Sequence, residues 1–167
     1  MILCAHSDAG FLNELQSQSQ AGAHIFLLED VPYPRFNSAV LSIAQIIKSV
    51  MASAAKSELA ALFITAHKMI PHHQTLIDMG WPQPKSPIQT NNSTAAGVVN
   101  NTIVPRRSKM MDMRLWWLHC RASQDQFQYY WDAGSKNWAD YNTKHHPDTY
   151  HEAHRSTHAG IWDWVGT

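Results

Sequence analysis

Three acidic side chains and one amide stand where this chain could do chemistry. Asp8 follows a short apolar run, Glu58 lies in an Ala- and Leu-rich stretch, Asn91 follows a second apolar run, and Asp140 sits in a short polar segment before a proline. Carboxylates gathered at one place are hard oxygen ligands. Mg²⁺ takes them together with water and substrate phosphate, and a pair of such ions can activate a water and stabilise a leaving oxygen in an in-line displacement. In open α/β sheets, ligands collect at the carboxyl ends of strands, where Asp8 and Asn91 are expected. Each residue also has a plainer reading. Asp8 can be a turn former, Glu58 a solvated helix residue, and Asp140 an acid that compensates a helix dipole. Asn91 keeps one oxygen ligand but carries no charge.

The elements that must position these four residues follow from hydrophobic period and breakers. Residues 2–7 read as a first strand, 11–20 as a polar turn and loop rich in Gln and Ser, 21–28 as a second strand and 39–47 as a third. These three would pair as an antiparallel meander. Residues 52–70 have apolar positions three and four apart, which predicts a helix, and Pro71 is expected to stop it. A second short helix is expected over 72–79, ended by Gly80 and the turn around Pro82 and Pro84. Residues 88–90 read as a short buried strand, 93–99 as a short helix, 106–121 as an amphipathic helix, 126–131 as a last strand and 137–144 as a short helix before Pro147. That order predicts an α/β fold with a mixed sheet flanked by helices.

The totals suit one globular domain: 167 residues, 44% hydrophobic and 16% charged. Formal net charge is zero, which counts against a high-affinity nucleic-acid binder, because phosphate neutralisation dominates such affinity. Cys4 and Cys120 form no metal or disulfide pattern, so a reducing intracellular compartment, cytoplasmic or nuclear, is expected. No apolar run reaches the length of a membrane span, and Asp8 interrupts the N-terminus too early for a secretory signal. The first strand starts almost at residue 1, which suggests the tail of a longer chain.

The words around the four residues carry more than the residues do. Ser7-Asp8-Ala9, Ser57-Glu58-Leu59-Ala60 within the Ala-rich helix, Gln89-Thr90-Asn91-Asn92-Ser93-Thr94-Ala95, Arg107-Ser108-Lys109-Met110-Met111-Asp112-Met113-Arg114 and Ala139-Asp140-Tyr141-Asn142-Thr143-Lys144 occur in that order. In content and order they resemble the ribonuclease H domain that closes the Pol polyprotein of copia-type LTR retrotransposons. The resemblance spans residues 3–144 and leaves 145–167 as a His-rich, weakly patterned tail. It implies a ribonuclease H-like fold with a five-stranded sheet, an antiparallel three-strand meander plus two parallel strands. It also implies hydrolysis of the RNA strand of RNA–DNA hybrids with two Mg²⁺ ions (Mn²⁺ as a substitute) and an upstream reverse transcriptase as partner. Carried over residue by residue, Asp8 would bridge the ions, Glu58 and Asp140 would each hold one, and position 91 would complete the site. The family pattern asks for aspartate there. Asn91 is therefore expected to weaken metal binding and catalysis and to leave the substrate-binding shape, the alternative being an inactive relic or hybrid-binding module.

Asn92, Ser93, Arg106, Arg107, Lys109 and Arg114 are the residues the same reading assigns to the hybrid backbone, although a basic helix start can equally be a solvated face. Trp116, Trp117, Tyr129, Tyr130 and Trp131 are expected to be mostly core between the long helix and the last strand, with base stacking as the other use. His151, His154 and His158 are spaced to share a helix face near His145 and His146, a rival site for Zn²⁺ or Ni²⁺. In the nuclease reading His145 or His146 would instead assist product release.

Overall fold

A computed structural model describes residues 1–29, 38–103 and 109–159. Its five strands form one sheet in the order β3-β2-β1-β4-β5. Strand β1 (Ile2–Glu14) pairs antiparallel with β2 (Gln18–Leu28), which pairs antiparallel with β3 (Leu41–Ile47). On its other edge β1 pairs parallel with β4 (Ser86–Thr90), and β4 pairs parallel with β5 (Phe127–Trp131). This is the expected mixed sheet, with an antiparallel meander and two parallel strands.

Alternation along the strands separates two faces. Leu3, Ala5, Ile25, Ile88 and Tyr129 point to the core shared with Leu59, Leu62, Ala66 and Met69 of helix α1 (Ala54–Asp78). Helices α2 (Ser93–Val99) and α3 (Lys109–Ser123) complete that layer through Val98, Val99 and Leu118. The opposite face carries Cys4, His6, His24 and Phe26. It is partly covered by a 3-10 segment, Trp138–Asn142, and then helix α4 (Asp148–Ala159).

Several local expectations are corrected. Residues 11–14 continue β1 and 18–20 begin β2, so the connection is only the 3-10 turn Leu15–Ser17. The Gln- and Ser-rich stretch pairs as Gly10↔Gln20 and Glu14↔Gln18 with a bulge between, and the ladder takes polar residues because one face there meets solvent. Pro71 does not end α1, which runs 25 residues through it and absorbs the second helix expected over 72–79. An interior proline costs roughly 3 kcal/mol. Here Met69 is fully buried just before it and Leu76 packs on the core after it, so both halves are held in line. The segment expected as a short helix over 137–144 is a 3-10 turn, and the weakly patterned tail contains a helix, α4.

The aromatic residues divide. Tyr129 is buried and Trp117 packs edge-on to Phe63 at 5.2 Å, whereas Trp116 is 71% exposed and Trp131 is also largely exposed. Tyr130 is exposed too, so the expectation that most of the five are core is corrected: Trp116, Tyr130 and Trp131 are not. Amphipathic period places an indole on a helix but not at the depth that its neighbours can cover.

Pro71 is exposed, so its replacement loses no core contact. Pro71→Ala is expected to stabilise the protein by about 1–3 kcal/mol, because it restores the missing helix donor. Urea denaturation checks this; an unchanged or lowered midpoint would mean that α1 does not run through position 71.

Candidate functional site

Asp8 is near the end of the paired part of β1, opposite Gly22 of β2. A side chain at Gly22 could not be accommodated: a Cβ there would lie 2.5 Å from Thr143 Cγ2 and 2.7 Å from the Ala139 carbonyl oxygen. This glycine lets the 3-10 segment lie directly on the sheet. Asn137 Nδ2 donates to the Ser7 carbonyl at 2.8 Å, Asn142 Nδ2 to the Ala23 carbonyl at 3.1 Å, and the Trp138 N–H to His6 Nδ1 at 3.0 Å. Those bonds fix Asp140 and Thr143 over the end of β1.

The other residues arrive from two further elements. Ser53 caps α1 by accepting from the Lys56 N–H, and Glu58 lies in the second turn, only 5% exposed, reaching the Ala9 N–H and accepting from Thr90 Oγ1 at 3.5 Å. Asn91 leaves the end of β4, where Asn92 caps α2 by accepting from the Ala95 N–H at 2.9 Å. Asn91 Nδ2 donates to Asp8 Oδ1 at 2.6 Å. Thr143 donates its hydroxyl to Asp8 Oδ2, and Lys144 forms an ion pair with Asp140 one helical turn away.

Asp8, Glu58, Asn91 and Asp140 therefore do come together. Burial raises the Asp8 carboxyl above its usual range and the Asp140 charge adds to this, while Thr143, Lys144 and Asn91 pull the other way. Burial, with the Asp8 charge beside it, pushes Glu58 up to about 8. The hydrogen bond to Asp140 raises the Lys144 ammonium. A cleft of about 450 Å³ opens beside the cluster, lined by Asn91, Asp140, Lys144 and Trp138 and, from α4, by Tyr150, His154 and His158.

The donor set suits a hard divalent cation in kind, with three carboxylates and a carboxamide, all offering oxygen. It does not suit two such ions as arranged. Both Asp8 oxygens are engaged by side-chain donors, Asp140 is already paired with a lysine, and Asn91 presents its N–H rather than its oxygen. Among the described residues, no group of three His, Cys, Asp or Glu side chains is disposed to hold a metal ion. That statement covers the tail histidines too. His151 pairs with the Tyr141 hydroxyl at 2.6 Å, and His158, Tyr141, His146, Tyr150 and His154 stack ring on ring.

Of the residues assigned to the hybrid backbone, Asn92 and Ser93 flank the site at the start of α2. Arg114 is engaged elsewhere, over the Phe63 ring at 5.6 Å with its Nη2 donating to Ser49. Arg106 and Arg107 lie outside the described residues, as does the side chain of Lys109. Sequence reasoning passed over Thr143 and Lys144, although both stand in the word that carries Asp140. The four-residue spacing from Asp140 to Lys144 was the available signal.

No protein-family model matches this chain, and no curated protein matches it in sequence. Solved structures do match in shape. LC11-RNase H1, isolated from compost by a metagenomic approach, superposes with a TM-score of 0.61 at 11% identity, covering 84% of this chain and 91% of that one. The same enzyme in complex with an RNA/DNA hybrid gives 0.61 at 11% identity, over 89% and 98% of the two chains. An N-terminal RNase H domain from Mycobacterium tuberculosis, solved as a fusion with maltose-binding protein, gives 0.57 at 13% identity over 84% and 95%. The fold is ribonuclease H-like. Among the described residues no helix is long and apolar enough to cross a membrane.

The raised Glu58 carboxyl makes a pH prediction for the metal-free protein. A group whose folded pKa lies above its unfolded value contributes stability that is full below about pH 4.5 and is lost as pH rises through about 8. Glu58→Gln removes that loss, so its stability relative to the parent should grow across this window by up to about 1.4 kcal/mol per pH unit. Urea titrations in EDTA at several pH values read it directly, and parallel profiles for the two proteins would refute it.

Proposed function

We propose that this chain is a ribonuclease H-type domain of copia-type retrotransposon origin that engages RNA–DNA hybrid at the Asp8–Asp140 end of its sheet, with hydrolysis of the RNA strand impaired by Asn91. The fold, the meeting of Asp8, Glu58 and Asp140, and the order of the five sequence words support the class. LC11-RNase H1, which shares the fold, has been solved with an RNA/DNA hybrid bound, and this supports the substrate. An upstream reverse transcriptase is the partner this origin implies.

The observation that carries impairment is the hydrogen bond from Asn91 Nδ2 to Asp8 Oδ1. Where a carboxylate would repel Asp8 and call for a cation between them, the amide satisfies Asp8 directly. Asp8, Glu58 and Asp140 are the residues that would hold Mg²⁺ or Mn²⁺, with the Asn91 oxygen available only after its amide turns over. A bound pair of ions would supply an activated water and a stabilised leaving oxygen. This chain's own residues work against that state: Asn91 and Thr143 occupy Asp8, Lys144 pairs with Asp140, and burial raises the Glu58 carboxyl toward its neutral form. The alternative, a domain that binds hybrid without cutting, rests on the same bond.

Restoring the charge tests both readings. Asn91→Asp is expected to raise the rate of hybrid cleavage in millimolar Mg²⁺ by on the order of 100-fold or more, since about 1.4 kcal/mol of lost ligand interaction is tenfold. Hybrid affinity should change little. Equal cleavage by the two proteins would remove impairment, hybrid binding without cleavage in either would select the non-cutting module, and loss of both binding and cleavage would remove the proposed function.

A further inference from the structure

The sheet face opposite α1 contains a second cavity that hybrid cleavage does not use. Cross-strand pairing places His24, His6, Gln89 and Tyr130 in one row over β2, β1, β4 and β5, through His6↔His24, His6↔Gln89 and Gln89↔Tyr130. Phe26 stands in the next row. Trp138 leans over them from the 3-10 segment, its ring centre 5.0 Å from His6 and 5.1 Å from Phe26. A cavity of about 430 Å³ with mostly apolar walls is lined by Trp138, Tyr130, His6 and Phe26.

Gln89 lines this cavity, is only 2% exposed, and its Nε2 has no hydrogen-bond partner. Buried polar groups are paired in the great majority of cases, and an unmade donor costs about 1–3 kcal/mol. The His24 ring nitrogens are unpaired as well, but that ring sits among Phe26, Trp138 and His158 and does not line the cavity. Among the described residues lining the cavity, Gln89 is therefore the one that carries a buried unpaired donor.

Flat aromatic walls, a volume in the range of small-molecule sites and one fixed donor describe a site for a planar ring bearing an acceptor. Stacking on aromatic side chains recognises bases by their faces, and an amide donor reads a carbonyl oxygen or ring nitrogen at the edge. At the rim, Lys136 pairs with Asp132 at 3.4 Å, so the opening presents no unbalanced cation to select phosphate. Ser135 and Trp138 line both this cavity and the cleft beside Asp140, so a strand lying in that cleft passes the mouth of the pocket.

We propose that this pocket binds a single nucleobase, held between Trp138 and Tyr130 and recognised by the Gln89 amide. The base comes either from a free nucleoside or from an unpaired nucleotide of a bound strand. The pocket does not require that the acids cut, so it stands or falls separately from the proposed hydrolysis.

Calorimetric titration of the full chain with the four nucleosides and their 5′-monophosphates tests the proposal, beside RNA–DNA hybrids with blunt or single-stranded ends. At least one nucleoside, or the overhanging hybrid in preference to the blunt one, should bind one to one, with no large gain from phosphate. Gln89→Met, close in shape and apolar, should weaken that binding by roughly tenfold, equivalent to about 1.4 kcal/mol, without lowering the unfolding temperature. Tyr130→Ala, at a partly exposed wall, should weaken it independently. An overhang preference erased by Gln89→Met assigns the base to a nucleic-acid strand, and nucleoside binding without such a preference assigns it to free ligand. No binding of either kind at millimolar concentration, or full binding by both variants, overturns the proposal. A more stable Gln89→Met with no ligand bound by either protein overturns it too, since the buried amide would then be a cost that no ligand offsets.

Discussion

The carboxylate of Asp8 is 2% exposed, and a buried charge persists only where donors or opposite charges meet it. Its two oxygens are met by Asn91 from the end of β4 and by Thr143 from the segment after β5. Neither donor is near Asp8 in sequence. The parallel pairing of β1 with β4 brings in Asn91, and the absence of a side chain at Gly22 brings in Thr143. Loss of either donor would leave one oxygen of a buried acid unpaired, at a cost of about 1–3 kcal/mol. The Asp8 carboxylate thus ties the antiparallel meander, the parallel edge and the 3-10 segment into one unit.

The same cluster brings together acids whose charges must be offset. Three carboxylates lie close enough for Asp8 to feel Asp140 and for Glu58 to feel Asp8. Charge is then balanced from within: Lys144 pairs with Asp140, Glu58 is pushed toward its neutral form, and the Asn91 amide places the positive end of its dipole on Asp8. An aspartate at 91 would add a fourth charge and shift the balance toward needing metal. Asparagine stabilises this arrangement of acids through its bond to Asp8.

Much of the fold was legible because its signals are local and periodic. The meander, the helical spacing of Leu59, Leu62 and Ala66, and the short β4–α2 turn capped by Asn92 all came out where the residue pattern put them. The misses have a common cause. Pro71, the Gln-rich ladder and α4 contradict local propensity and are held by contacts distant in sequence: Met69 and Leu76 on the core, Gln20 against Gly10 and the Asn142 carbonyl, and the histidine and tyrosine rings of the tail on Tyr141 and His24. Tertiary packing overrode propensity in each case. At the site, the word order located Asp8, Glu58, Asn91 and Asp140. It was silent on which atom of Asn91 would face Asp8, because an amide offers a donor and an acceptor and only the neighbouring carboxylate decides between them.

Trp138–Asn142 is the element that borders both clefts of this molecule. It is too short and too tightly wound for α-helical side-chain spacing, so consecutive residues serve different faces. Trp138 leans on the open face beside His6 and Phe26, Ala139 is buried above Gly22, and Asp140 is carried to the carboxylate cluster. A regular helix here would rotate successive side chains by 100° about an axis farther from the sheet. A glycine at 22, the side-chain amides of Asn137 and Asn142 donating to strand carbonyls, and the hydrogen bond to His6 keep the segment close instead. That closeness places an aromatic wall and an acid of the carboxylate cluster two residues apart on adjoining clefts, an arrangement built from local turn geometry on a common sheet.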